Sequence, residues 1–152
     1  FVVNADLWKE EFLEFDYIGA PWPNKIQMDP NLVGSPGLPG PIPILNMKEN
    51  CVGSGGFSLR SHKLLKATTK INYDSLKFPI KNEDLVICHY LYKEMIDKGI
   101  RFAPPKLAAQ FSMEDVHHLY GQDVNSVFGF HARHMRDYFL KEYMRRAPIG
   151  KW

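Results

Sequence analysis

Cysteine is scarce: Cys51 and Cys88 are the two present in 152 residues. They stand far apart rather than in a CxxC pair, which excludes a disulfide scaffold, a zinc ribbon and a thioredoxin-like redox motif. Neither sign of charge is in excess, because 19 Lys and Arg against 17 Asp and Glu leave a formal +2. That is far short of the basic footprint needed to grip phosphate backbones, so nucleic acid is not an expected partner. No apolar run approaches the roughly 18 residues of a membrane-spanning helix, and the start lacks the basic and apolar regions of a signal peptide. There is no HExxH pattern, no P-loop, no internal repeat and no sustained collagen-like triplet. What remains is a soluble chain with reduced thiols, expected to be cytoplasmic.

Apolar residues make up 45% of the chain and aromatics 13%, enough for one core and one domain over residues 1–152. The chain opens on Phe1 rather than Met, and Phe1-Val2-Val3 reads as a strand already under way, so upstream sequence is expected. Asp6 is a candidate cap for a helix through Leu13, and Asp16 to Gly19 reads as a short strand. Residues 23–50 read as loop. From Ala20 to Asn50, Pro21, Pro23, Pro30, Pro36, Pro39, Pro41 and Pro43 interrupt helix and ladder bonding, with Gly34, Gly37 and Gly40 among them. Phe57 to Arg60 suits a strand, and Ser61 caps a helix to about Thr69. Leu85, Cys88, His89, Tyr92, Met95 and Ile96 fall at helical spacing between a cap at Asn82 and a stop at Gly99. Ile100 to Ala103 reads as a strand closed by Pro104-Pro105, Leu107 to Ser112 as a further extended segment, and Val124 to Phe130 as a last strand. A basic, aromatic tail covers 135–152. The alternation predicts an α/β domain, a mixed sheet flanked by helices.

Several segments can carry chemistry. Asp16 to Trp22 (DYIGAPW) ends a strand where ligands sit in α/β sheets, so Asp16 and Trp22 are candidates for a pocket wall. Equally, Trp22 can close the core as a packing residue. In Val52 to Ser61 (VGSGGFSLRS) three glycines allow close backbone approach and positive φ, and Arg60 can meet an anion; a plain tight turn reads the same way. Glu83 and Asp84 open the strongest helix. The helix dipole favours acids there in any case, but one of them facing a pocket would be a general base. Of six histidines, His131 and His134 lie in a short FGFHARH run without a metal-ligand spacing. His62 and His117-His118 carry less signal. Arg133, Arg136, Lys141, Arg145 and Arg146 read as a solvated basic face, or as a dock for an acidic partner or a larger complex.

The order of these segments is more informative than any one of them. WKEEFLEFDYIGAPW, VGSGGFSLRS, NEDLVICHYL, GIRFAP with AAQFS, and VFGFH together resemble a glycosyltransferase-like family long filed as a domain of unknown function, over Phe1 to about His134. The resemblance implies a GT-A type fold that moves a sugar from a nucleotide-sugar donor to an acceptor hydroxyl. It implies that Gly55, Gly56 and Phe57 shape the donor-sugar and acceptor pocket, that Glu83 and Asp84 supply the base with Asp84 favoured, and that His131 completes a divalent metal site for Mn or Mg. DYIGAPW would line the acceptor side, with Trp22 offering an apolar face to a sugar ring. Ser54 stands where relatives usually carry Asn. The Asp-x-Asp acid that holds the metal in such enzymes is not in the chain, so the 152 residues are expected to be the acceptor-side portion, without the nucleotide-binding half and prone to self-association through an open sheet edge. The alternative is a non-catalytic carbohydrate-binding or interaction module on the same fold.

Overall fold

The computed structural model describes residues 1–27, 44–114, 119–123 and 125–146, with side chains except at 133 and 143–146. The order of elements is β1 (Tyr17–Ile18), β2 (Lys25–Gln27), β3 (Ile44–Asn46), β4 (Leu59–Arg60), α1 (His62–Thr68), α2 (Glu83–Leu85), a π turn (Val86–Tyr90), α3 (Tyr92–Asp97), α4 (Pro105–Phe111), β5 (Ser112–Met113), β6 (Gly129–Phe130) and α5 (Arg133–Arg146), with short 3₁₀ turns between. The fold is therefore α/β, and its strands are shorter than the sequence suggests. They form three two-stranded ladders, β1 with β4, β2 with β3, and β5 with β6, the last parallel. Single bridges extend two of them. Phe102 lies parallel to Tyr17 and Val2 lies antiparallel to Gly129. Among the described residues no helix is long and apolar enough to cross a membrane.

The main core joins Phe12, Tyr17, Ile18, Trp22, Leu64, Ile80, Leu85, Cys88, Met95, Ile100 and Phe111, all buried. A satellite core of Met113, Val127, Phe130, Met135 and Phe139 lies under α5. Asp16 ties the central ladder together: its carboxylate accepts from Ser61 Oγ at 2.5 Å and from the Arg101 N–H at 2.9 Å. Burial pushes its carboxyl up, but these two bonds and the Lys63 and Arg101 charges outweigh that and hold it below its usual value.

Several local expectations need correction. The proline-rich loop contains a hairpin, because Lys25-Ile26-Gln27 and Ile44-Leu45-Asn46 are free of proline and can form a ladder. Residues 28–43, with Pro30, Pro36, Pro39, Pro41 and Pro43, lie outside the described residues, as do His117-His118, Val124 and residues 147–152. The first helix is two 3₁₀ turns, Ala5–Leu7 and Glu10–Glu14, the first capped by Asn4, whose Oδ1 accepts from Asp6 N–H, so Asp6 is capped rather than capping. Leu107 to Phe111 is helical, not extended: Pro105 fills the first helical position, where its missing N–H costs nothing, and two alanines follow Leu107. The expected last strand reduces, among the described residues, to β6, Gly129–Phe130, and the basic tail enters α5. Asn82 makes no side-chain cap bond. Ser61 does cap α1, accepting from Leu64 N–H at 3.1 Å, and Gly99 ends α3 at a φ of +75°.

Candidate functional site

The glycine turn lies against the head of the helix that starts at Glu83. The Pro21 to Val52 bridge, with Gly53 N–H donating to Ala20 O at 3.2 Å, fixes where the turn begins. From there Gly55 N–H donates to Asp84 Oδ2 at 3.0 Å, and Asp84 Oδ1 accepts the Leu85 N–H at 2.8 Å. Arg60 clamps the turn from the β4 side. Its Nε donates to Ser58 Oγ at 3.2 Å, Ser58 Oγ donates to Gly55 O at 3.1 Å, and its guanidinium forms an ion pair with Glu83. The same guanidinium lies 5.6 Å from the centre of the Tyr17 ring, a cation–π distance.

Glycine at 55 and 56 lets the surrounding side chains come close to the backbone. A β-carbon on Gly55 would come within 2.8 Å of Glu83 Oε2 and 2.9 Å of Arg60 Nη2, and one on Gly56 would collide with the His131 ring. His131 therefore sits directly on the turn, with Nδ1 3.4 Å from Glu114 Oε1. Its position follows from the satellite ladder, where His131 N–H donates to Met113 O at 3.0 Å. Gly55, Gly56, Glu83, Asp84, Arg60 and His131, distant in sequence, are thus one cluster.

Three other candidates go elsewhere. Trp22 is 7% exposed with its ring over Gly53, so its apolar face is taken up by backbone and the packing role is the one it fills. Phe57 lies on Gly129 and stacks on Phe111 at 5.2 Å, within the aromatic core. Asp16 is occupied by Ser61 and Arg101. Beneath the cluster burial pushes the Tyr17 hydroxyl well above its ordinary value and raises the adjacent Cys88 thiol as well, so both stay neutral under the charged groups.

Two residues that sequence reasoning left aside belong to the site. Glu114 had no legible signal, being one of two adjacent acids after an extended segment. Ser54 did have one, as a serine set among glycines. It is fully buried at a φ of +57°, and its Oγ has no hydrogen-bond partner. The left-handed backbone costs a non-glycine residue about 1–2 kcal/mol, and an unsatisfied buried hydroxyl about 1–3 kcal/mol more.

A family model described as a protein of unknown function (DUF5672) matches residues 1–131. The chain belongs to that family. The DUF5672 match takes in the glycine turn, the acids and His131, and stops before α5. No curated protein and no solved structure matches the chain.

The donor set for a divalent cation is thin. His131 and Glu114 are a single pair, and among the described residues no group of three or more His, Cys, Asp or Glu gathers to hold an ion. A Mn²⁺ or Mg²⁺ site with mostly oxygen ligands is not made by these residues themselves. Two cavities open to solvent lie away from the cluster. One of about 460 Å³ is lined by Phe1, Val3, Phe130 and Phe139, and one of about 480 Å³ by Glu49, Asn50, His89 and Tyr92. The acidic cluster is a surface site, open at Gly56 and Glu83.

Proposed function

We propose that the chain is the acceptor-side part of a GT-A-like glycosyltransferase, in which Asp84 takes the proton from an acceptor hydroxyl as it attacks the anomeric carbon of a nucleotide-sugar. The observation that carries this reading is the Gly55 N–H to Asp84 Oδ2 bond, with His131 seated on Gly56. It brings a half-buried carboxylate to a glycine turn whose tip, Gly56, is exposed, with Arg60, Glu83 and His131 around it. The two N–H bonds fix the carboxylate plane while leaving it further lone pairs, since an ionised carboxylate offers about four acceptor sites. An acceptor hydroxyl within hydrogen-bond reach gives up its proton there while its oxygen bonds to the anomeric carbon and the nucleoside diphosphate departs. Glu83 has a different job: paired with Arg60, it holds the clamp that shapes the turn. The cation that the resemblance implies is not built by these residues, so no step is routed through it.

The test is Asp84→Asn assayed with nucleotide-sugar donors. Turnover should fall by about 10²–10⁴-fold, the usual worth of a general base, while donor affinity stays within about twofold. An amide accepts both backbone N–H bonds through Oδ1 alone less well, but it cannot take a proton. Undiminished turnover would remove Asp84 from the mechanism, and a parent protein that binds sugar without turning over any donor would leave a carbohydrate-binding module as the reading of the fold.

A further inference from the structure

We infer that Ser54 is a positioning residue for Asp84: its left-handed backbone is what turns the Gly55 N–H onto the Asp84 carboxylate. The effect on turnover rests on the glycosyltransferase reading, whereas the alignment itself does not.

Two features of Ser54 point away from packing as its purpose. A φ of +57° is a conformation that only glycine adopts freely, and the hydroxyl is buried without a partner. Non-glycine residues persist in that region when the surroundings over-determine them, and such positions cluster at functional sites. The surroundings here do so. A β-carbon on Gly19 would come within 2.8 Å of Ser54 O and closer still to Gly53 O, so the hollow left by Gly19 receives both carbonyls. Gly53 N–H is held by Ala20 O. With residue 53 fixed behind it, the sign of φ at residue 54 decides which way the next peptide faces. A left-handed residue reverses the chain, and the Gly55 N–H emerges toward the helix head, where it meets Asp84 Oδ2 at 3.0 Å. The extended backbone that most residues prefer would carry that N–H away. The unbonded Oγ means that the side chain contributes no hydrogen bond to this alignment, so the backbone of residue 54 carries it.

The experiment follows the Gly55 amide by ¹⁵N–¹H NMR in this chain, because a proton donated to a carboxylate resonates downfield. Asp84→Ala should move the Gly55 resonance upfield and so identify the bond. Ser54→Ala meets the same positive-φ cost as serine and removes only the unbonded hydroxyl, so it should leave the resonance in place. Ser54→Val, whose β-branched side chain resists a positive φ, should move it the same way as Asp84→Ala. Should the valine variant fail to fold, Ser54→Thr, also β-branched, replaces it. Ser54→Gly should retain the downfield position. In the transfer assay Ser54→Val should lower kcat about tenfold with donor KM unchanged, and Ser54→Gly and Ser54→Ala should keep the parent kcat. A Gly55 resonance unmoved in a folded Ser54→Val or Ser54→Thr variant would overturn the inference. So would its loss in Ser54→Ala, which would assign the alignment to the hydroxyl. If the parent transfers no sugar, the glycosyltransferase reading fails, while the NMR outcome still decides the role of Ser54.

Discussion

Replacing Gly53 by Ala should destabilise the protein through Trp22. A β-carbon built on Gly53 falls well within 3.0 Å of three carbons of the Trp22 ring. Carbon atoms rest about 3.5–4.0 Å apart, so one of the two groups must shift by an ångström or more. Neither is free to do so. Trp22 is 7% exposed inside the main core, its N–H is bonded to Cys51 O at 2.6 Å, and Gly53 N–H is bonded to Ala20 O at 3.2 Å. Overpacking of this kind costs about 1–3 kcal/mol, and with both backbones pinned the upper value applies. At roughly 2–4 °C per kcal/mol for a chain of this size, the melting temperature should drop by about 6–12 °C. The measurements are urea unfolding at a fixed temperature for the free energy and thermal unfolding for the melting temperature, both followed by circular dichroism. A double-mutant cycle isolates the cause: in a Trp22→Leu background the ring is gone, and the added methyl should cost less than about 1 kcal/mol, a coupling of about 2 kcal/mol. A Gly53→Ala variant as stable as the parent would show that the ring does not lie on Gly53. Trp22 would then be available again as a platform for a sugar.

The companion substitution Gly56→Ala meets the His131 ring instead, but that side chain is 45% exposed and can swing aside. Its stability should fall by no more than about 1 kcal/mol, while the imidazole resonances of His131 change as it leaves Glu114. Asp16→Asn should cost about 2 kcal/mol at neutral pH, the worth of hydrogen bonds to a charged acceptor. Because native contacts hold the Asp16 carboxyl below its usual value, its contribution is complete above about pH 4 and is lost as pH falls through the lowered native value. The asparagine variant should therefore show a shallower loss of stability in acid, seen by urea unfolding at successive pH values.

The parts of the fold legible in sequence were those set by local chemistry. Ser61 caps α1 because a serine hydroxyl accepts a first-turn N–H wherever it stands, and Gly99 ends α3 because it alone adopts a positive φ without strain. Leu85, Cys88 and Met95 are buried as their spacing requires. The convergence of the glycine turn with Asp84 was reached through the ordered motifs, since nothing local ties residue 55 to residue 84. Trp22 and Phe57 were ambiguous for a physical reason: an aromatic beside glycine packs equally well on backbone or on a sugar, and only the third dimension shows Gly53 and Gly129 already beneath the rings. Glu114 and Ser54 were missed as site residues because an acid at a strand end and a buried hydroxyl acquire meaning only from their neighbours.

The widened turn at Val86–Tyr90, where Leu91 N–H reaches back to Val86 O at 2.9 Å, sets the phase between the two ends of its helix. Each residue of an α-helix advances the direction of its side chain by about 100°, and a π turn holds one residue more than an α turn. Deleting a single residue there would restore uniform α winding with that phase unchanged, whereas forcing the same residues into uniform α winding would rotate Glu83 and Asp84 by roughly a quarter-turn or more relative to Met95 and the floor of the protein. The acids would then face past the glycines instead of toward them. The wide turn, far from any reacting atom, absorbs the surplus residue and keeps the two in mesh.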